Sequence, residues 1–409
     1  MPETSTTATR PWRVALAGMV SLAVAMGIGR FAFTPLLPMM LADGTLDLPH
    51  ASWLASANYL GYLVGALLCT FQPWRGRPEP TRFIRGALVA TALLTLAMAV
   101  HLPQAWAALR FLAGVASAFA FVYTSGWCLG RLAQMGLPEM GAVIYTGPGV
   151  GIVASGLAGS AMVALHWHAA SGWVVFGVLA ALLTTPVWRV FHAAPAPAAP
   201  AVPHAASGGA VATPHHGAAE VGLLGLAYGI AGFGYIITAT FLPVIARQAL
   251  PGSPWLDLFW PIFGAGVIGG ALIASRMRVA IDLRWLLVAC YVVQAIGIAA
   301  SLVSATLVGF ALGSLLLGLP FTAITFFAMQ EVRRIKPAKV ASTMGLFTAM
   351  YGLGQIVGPP LTAALVQAAP DAARGFTTAL QIAAGSLAAG ALMFAALAKF
   401  YPASPRARG

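Results

Sequence analysis

Between Val14 and Leu41 a single charged side chain, Arg30, interrupts an otherwise apolar run, and comparable runs recur to the end of the chain. About twenty apolar residues in helical form match the ~30 Å hydrocarbon thickness of a bilayer. A backbone in lipid must satisfy its own hydrogen bonds, which for runs of this length means helices. The 409 residues are 59% hydrophobic and 8% charged, against about a quarter charged in soluble proteins. The class that follows is an all-α membrane protein that crosses the bilayer many times.

Twelve spans are expected: Trp12–Leu41, Ser52–Gln72, Phe83–Val100, Ala105–Leu132, Pro138–Leu165 and Ser171–Val190, then Val221–Ile245, Trp255–Ser275, Trp285–Val303, Thr306–Met329, Val340–Ala368 and Phe376–Phe400. No cleavable signal peptide is expected ahead of Trp12, because the first apolar run is too long and no small-residue cleavage site closes it. Of the 22 Lys and Arg residues, only Arg247 and Arg374 fall in loops on one side, and only Arg30 and Arg110 lie within spans. The others share the opposite side. Positive residues stay cytoplasmic, so both termini are expected inside. That placement also accounts for the net charge of +12 without nucleic acid as a partner. Cys69, Cys128 and Cys290 lie in spans with no C-x-x-C pair, and read as packing residues.

Residues 191–219 are rich in Pro, Ala and Gly and carry no apolar periodicity, so they read as a flexible linker between residues 1–190 and 220–409. His204, His215 and His216 in it are more simply solvated than metal-bound. The flanking parts are repeats. A shift of 205 carries Gly29 to Gly234, Pro38 to Pro243, Gly61 to Gly266, and Gly65-Ala-Leu-Leu68 to Gly270-Ala-Leu-Ile273. Parallel six-helix repeats place a substrate site between them near the midplane.

Three motifs carry a resemblance. They are Gly27-Ile-Gly-Arg30-Phe-Ala-Phe-Thr-Pro35-Leu-Leu-Pro38 in the first span, Arg110-x-x-x-Gly114-x-x-x-Ala118 in the fourth, and Gly147-Pro148-x-x-Gly151 in the fifth. With Gly354-x-x-x-Gly358-Pro359 in the eleventh, they make the whole chain resemble the major facilitator superfamily, and its opening run is similar to that of the bacterial YbfB/YjiJ-type subfamily. The resemblance implies two six-helix bundles, alternating access, a multi-pass protein of the bacterial inner membrane, protons as coupling ion and a monomer. It implies no cofactor and no enzymatic step.

Two departures qualify it. Ile152 stands where the fifth-span motif ends in glycine. The loop after the second span lacks the superfamily's Asp: Gly65 is followed by Ala-Leu-Leu-Cys69, and Arg75-Gly-Arg77 comes late. Glu331 with Arg333 and Arg334 is the candidate replacement for that charge latch between halves, the alternative being a solvated helix end.

Arg30 lies about 24 Å along its helix from Val14, near or slightly beyond the midplane. An intramembrane arginine costs roughly 2.5–3.5 kcal/mol on insertion scales and is usually functional. It stays charged and needs an acceptor, yet no Asp or Glu falls at that depth. The missing counter-charge points to an anionic solute such as a carboxylate; the alternative is satisfaction by carbonyls freed at Pro35 or at helix ends. Arg110, about 9 Å into its span, belongs by resemblance to the coupling and packing apparatus, or else snorkels to the interface. Asp257 is the one acid offered for proton coupling, or a helix-start residue. Asn58, Tyr59, Tyr62, Tyr123, Tyr145, Tyr235, Thr238, Thr322, Thr325, Tyr351 and Gln355 are the remaining cavity candidates. Tyr235 is the counterpart of Arg30 under the 205 shift. A small organic solute held between a cationic and an aromatic wall is the first expectation. The second is export of lipophilic drugs.

Overall fold

A computed structural model describes residues 10–73, 79–192, 217–253, 255–277, 282–336 and 339–401. Among them there is no strand. The helices are α1 Pro11–Ala42, α2 Leu48–Phe71, α3 Pro80–Ala97, α4 Pro103–Gln134, α5 Pro138–Ala164, α6 Ala169–Trp188, α7 Ala218–Ala249, α8 Leu256–Arg276, α9 Leu283–Val303, α10 Leu307–Ile335, α11 Val340–Ala368 and α12 Ala372–Phe400. Eleven are long and apolar enough to cross a membrane. The exception to the twelve expected is α3, an 18-residue helix with Arg82 and Arg85 in its opening turns, which packs between α4 and α6. The linker and its three histidines, with Arg75 and Arg77, lie outside the described residues.

Helix starts follow local chemistry. Pro opens several helices, where its missing N–H costs nothing. Asp47 caps α2 through His50 N at 2.9 Å, and Asp371 caps α12 through Arg374 N at 2.8 Å. Asp43 accepts from Ala169 N at 2.7 Å at the start of α6. Several of the few acids are thus engaged at helix ends.

The first helix is broken where the sequence carries its Gly/Pro run. A π-helical turn, Ala23–Ile28, passes through an irregular turn before the helix resumes at Phe33. Gly29 N and Phe31 N reach back five residues, to Val24 O at 2.9 Å and Met26 O at 3.0 Å. Pro35 cannot donate and its ring crowds the carbonyl four residues earlier, so the regular ladder cannot run through here. The carbonyls of Gly29 and Arg30 are left for other partners.

Helices before the linker pack mainly on one another, as do those after it. The two sets meet through α2 against α11, α5 against α8, and the second part of α1 against α7. Small residues set the crossings, and the crossings repeat. A Cβ on Gly114 in α4 would collide with the Asn58 carbonyl of α2; one on Gly318 in α10 would collide with the Phe263 carbonyl of α8. Asn58 and Phe263 are counterparts under the shift of 205. Thr34 and Ala239, counterparts too, touch each other: Thr34 Oγ1 donates to Ala239 O at 3.1 Å.

Candidate functional site

The broken turn of α1 aims Arg30 into the contact between the two helix sets, where the residue is 3% exposed. Its Nη2 donates to Gln355 Oε1 on α11 at 2.7 Å, and Gln355 Nε2 donates in turn to the Tyr235 hydroxyl on α7. One glutamine therefore bridges Arg30 to its repeat counterpart. Three rings take the guanidinium over their faces: Tyr62 at 4.3 Å, Tyr59 at 5.1 Å and Phe31 at 5.4 Å. Arg30 Nε is buried without an acceptor. Among the described residues no carboxylate pairs with it. Neutral partners and ring faces offset part of the cost of burying this charge, and an anion would offset more.

Away from the arginine-rich end of the helices, hydrogen bonds close the seam. Tyr59 and Thr240 hydroxyls meet at 2.9 Å, Ser56 donates to Ile356 O at 2.8 Å and Ser160 to Asp257 O at 3.1 Å, beside the Thr34–Ala239 bond. Toward the arginine-rich end, Tyr62, Phe321, Thr322 and Tyr351 are only half-buried. From Tyr235, stacked rings descend through Tyr351 at 5.9 Å and Tyr228 at 4.8 Å to Phe347 at 5.9 Å.

The other expected residues divide. Tyr59, Tyr235, Tyr351 and Gln355 gather around Arg30. Tyr123 stands apart, stacked on Phe83 at 4.5 Å, and Tyr145 leans on Phe121 at 6.2 Å. Thr322 sits beside Phe321, which packs edge-on to Tyr235 at 5.0 Å, and its hydroxyl is buried without a partner. Asn58 is a packing residue, donating to Arg110 O at 2.9 Å. Among the described residues no group of three or more His, Cys, Asp or Glu is placed to hold a metal ion.

Arg110 does not snorkel. It is 2% exposed, and it takes the carbonyls released by the break in α1, Gly29 O at 3.1 Å and Arg30 O at 2.9 Å. The rings of Phe33 and Trp173 flank it at 5.1 and 5.9 Å. The carbonyl satisfaction considered for Arg30 is thus the business of Arg110. A planar fork holding two separate carbonyls is not replaced by a point ammonium. Arg110→Lys should cost about 1–3 kcal/mol, the range for a buried acceptor left unmet, measured as a lowered unfolding temperature in detergent.

Asp257 has a partner the sequence did not suggest: Arg247, at the end of α7, closes on it as an ion pair. Glu331 requires a correction. It is 1% exposed and binds Arg334 Nε at 2.9 Å, with Arg284 at 3.6 Å. Arg284 is wholly buried and also lies 3.7 Å from Glu220, while donating to Asp282 and to the carbonyls of Leu397 and Tyr401. Every one of these partners belongs to α7, α9, α10 or α12 or adjoins them. The network ties the C-terminal helices together and is neither a latch between halves nor a solvated end.

The family described as "Uncharacterised MFS-type transporter YbfB" matches residues 22–399. No curated protein matches the chain. Among solved structures it is similar to the nucleoside transporter NupG, with a TM-score of 0.64 at 15% identity over 96% of this chain and 99% of that one. A NupG mutant gives a TM-score of 0.66 at 17% identity, over 94% of this chain and 99% of the other. At such identity the likeness is one of fold, and what NupG carries stays with NupG. A long Gly/Pro-broken first helix, a buried arginine facing the seam and a matching family profile converge: this multi-pass membrane protein belongs to the YbfB-type family of major facilitator transporters.

Proposed function

We propose that this transporter moves a small organic anion, a carboxylate in the first instance, between two six-helix halves, residues 1–190 and 220–409, joined by the linker 191–219. The halves rock about a site centred on Arg30, in a monomer with both termini in the cytoplasm of a bacterial inner membrane. One observation carries the reading: a permanently charged guanidinium, buried at the seam, is held by a neutral amide where an acid would ordinarily stand. Charge-assisted bonds are about twice as strong as neutral ones, so a carboxylate competes well for that fork. Tyr59, Tyr235 and Tyr351 supply flat walls for the solute's body. Half-burial of Tyr62 and Tyr351, set against the bonded seam beyond Tyr59, supports a site approached from the cytoplasmic side. Proton coupling ranks second to the anion reading, because its candidate carrier, Asp257, is engaged by Arg247 far from Arg30.

The test is uptake into proteoliposomes of labelled lactate, succinate and benzoate beside cationic dyes, with and without a pH gradient. Uptake of at least one acid, competed by the unlabelled acid, is expected. Dyes that move while the acids do not would transfer the assignment to lipophilic-drug export.

A further inference from the structure

We infer that the bond from Arg30 to Gln355 locks the empty carrier, so that the protein exchanges one anion for another rather than carrying net flux. The inference rests on the anion reading and adds the transport mode to it. Gln355 belongs to α11 and Arg30 to α1, so their 2.7 Å bond crosses the seam, and Tyr235 on α7 holds the same amide from its other end. The helices that must part on one side for the site to change its access are thereby joined at the site itself. In the empty carrier, parting them strips the guanidinium of its one side-chain acceptor while its Nε already has none. A carboxylate seated on the fork takes over that acceptor role. It travels with α1, and the amide is released to Tyr235.

Charge points the same way. Arg30 cannot shed its proton, and among the described residues no acid pairs with it. The empty site is a bare buried cation, whereas the loaded site is a neutral pair. A bond from a charged donor, lost in the transition, slows reorientation of the empty form by roughly tenfold to a hundredfold relative to the loaded one. The seam bonds Tyr59–Thr240 and Ser56–Ile356 are neutral, are the same in both forms, and do not discriminate between them.

The experiment compares uptake of labelled lactate, succinate or benzoate, whichever the panel shows to be carried, into vesicles preloaded with the same unlabelled acid and into vesicles loaded with buffer alone. Preloading is expected to raise the initial rate at least tenfold, with a ratio that a pH gradient leaves in place. In Gln355→Leu the ratio should fall toward one, because the lock is gone. Tyr235→Phe, which removes only the amide's second partner, gives a smaller fall in the same direction and serves should Gln355→Leu not fold. Equal rates in preloaded and buffer-loaded vesicles would overturn the proposal while leaving the anion reading intact, and so would an undiminished ratio in the folded variants. If none of the acids is carried, the anion reading itself fails, and the exchange proposal with it.

Discussion

Arg30→Gln is expected to lower carboxylate uptake by roughly ten- to a hundredfold, in protein that still elutes as a single species and unfolds cooperatively. The magnitude follows from the loss of a charge-assisted bond, about 1.5–3 kcal/mol. The fold should survive, because the main chain at residue 30 is fixed by Arg110 and not by its own side chain. Glutamine at position 30 still offers an amide to Gln355, so the seam is not left with a buried orphan. Arg30→Lys separates charge from shape: an ammonium keeps the attraction and loses the fork, and intermediate uptake is expected. Uptake by Arg30→Gln equal to that of the parent would reduce the residue to packing.

The second large effect concerns stability alone. Arg284→Ala should destabilise the protein by about 3–5 kcal/mol, the usual cost of removing one partner from a buried ion pair. It would leave Glu220 and Glu331, each 1% exposed, without the guanidinium at 3.6–3.7 Å. Thermal unfolding in detergent measures it, and adding Glu331→Gln should return part of the loss, since the two effects are coupled. Acid should weaken the same network. Burial alone would raise the carboxyl of Asp282, at the head of α9, but hydrogen bonds and charge from Arg284 outweigh it and hold the group below its ordinary value of 3.8. A depressed carboxyl stabilises the fold fully above the unfolded value, and that contribution disappears as pH falls through the folded one. In Arg284→Ala the acid sensitivity in this window should flatten.

Much of the scaffold was readable because lipid imposes a length. Apolar runs of about twenty residues place helices to within a few residues, and α3 alone falls short, its two opening arginines diluting the run. The repeat was readable because Gly–backbone crossings tolerate no substitute, so Gly61 and Gly266 had to recur. Arg30 was legible as an anomaly of depth. What was not legible is pairing. Nothing in the sequence says that Gln355 lies opposite Arg30, that Arg247 reaches Asp257, or that Arg284 draws Glu220 and Glu331 inward from loop-like positions. Hydropathy ranks each residue by itself, whereas these contacts depend on which helices adjoin. The role of Arg110 was hidden for a related reason: its acceptors are carbonyls, which every residue carries.

The kinked first helix has one more effect. Because the oxygen of residue 30 is tethered to α4 through Arg110, local unwinding cannot deliver its guanidinium to a guest molecule. The anchored backbone leaves only the side chain free to swing. Whatever lodges there must be short enough to meet an arm of fixed origin and limited reach, so the size limit on the cargo is set by a joint that never touches it.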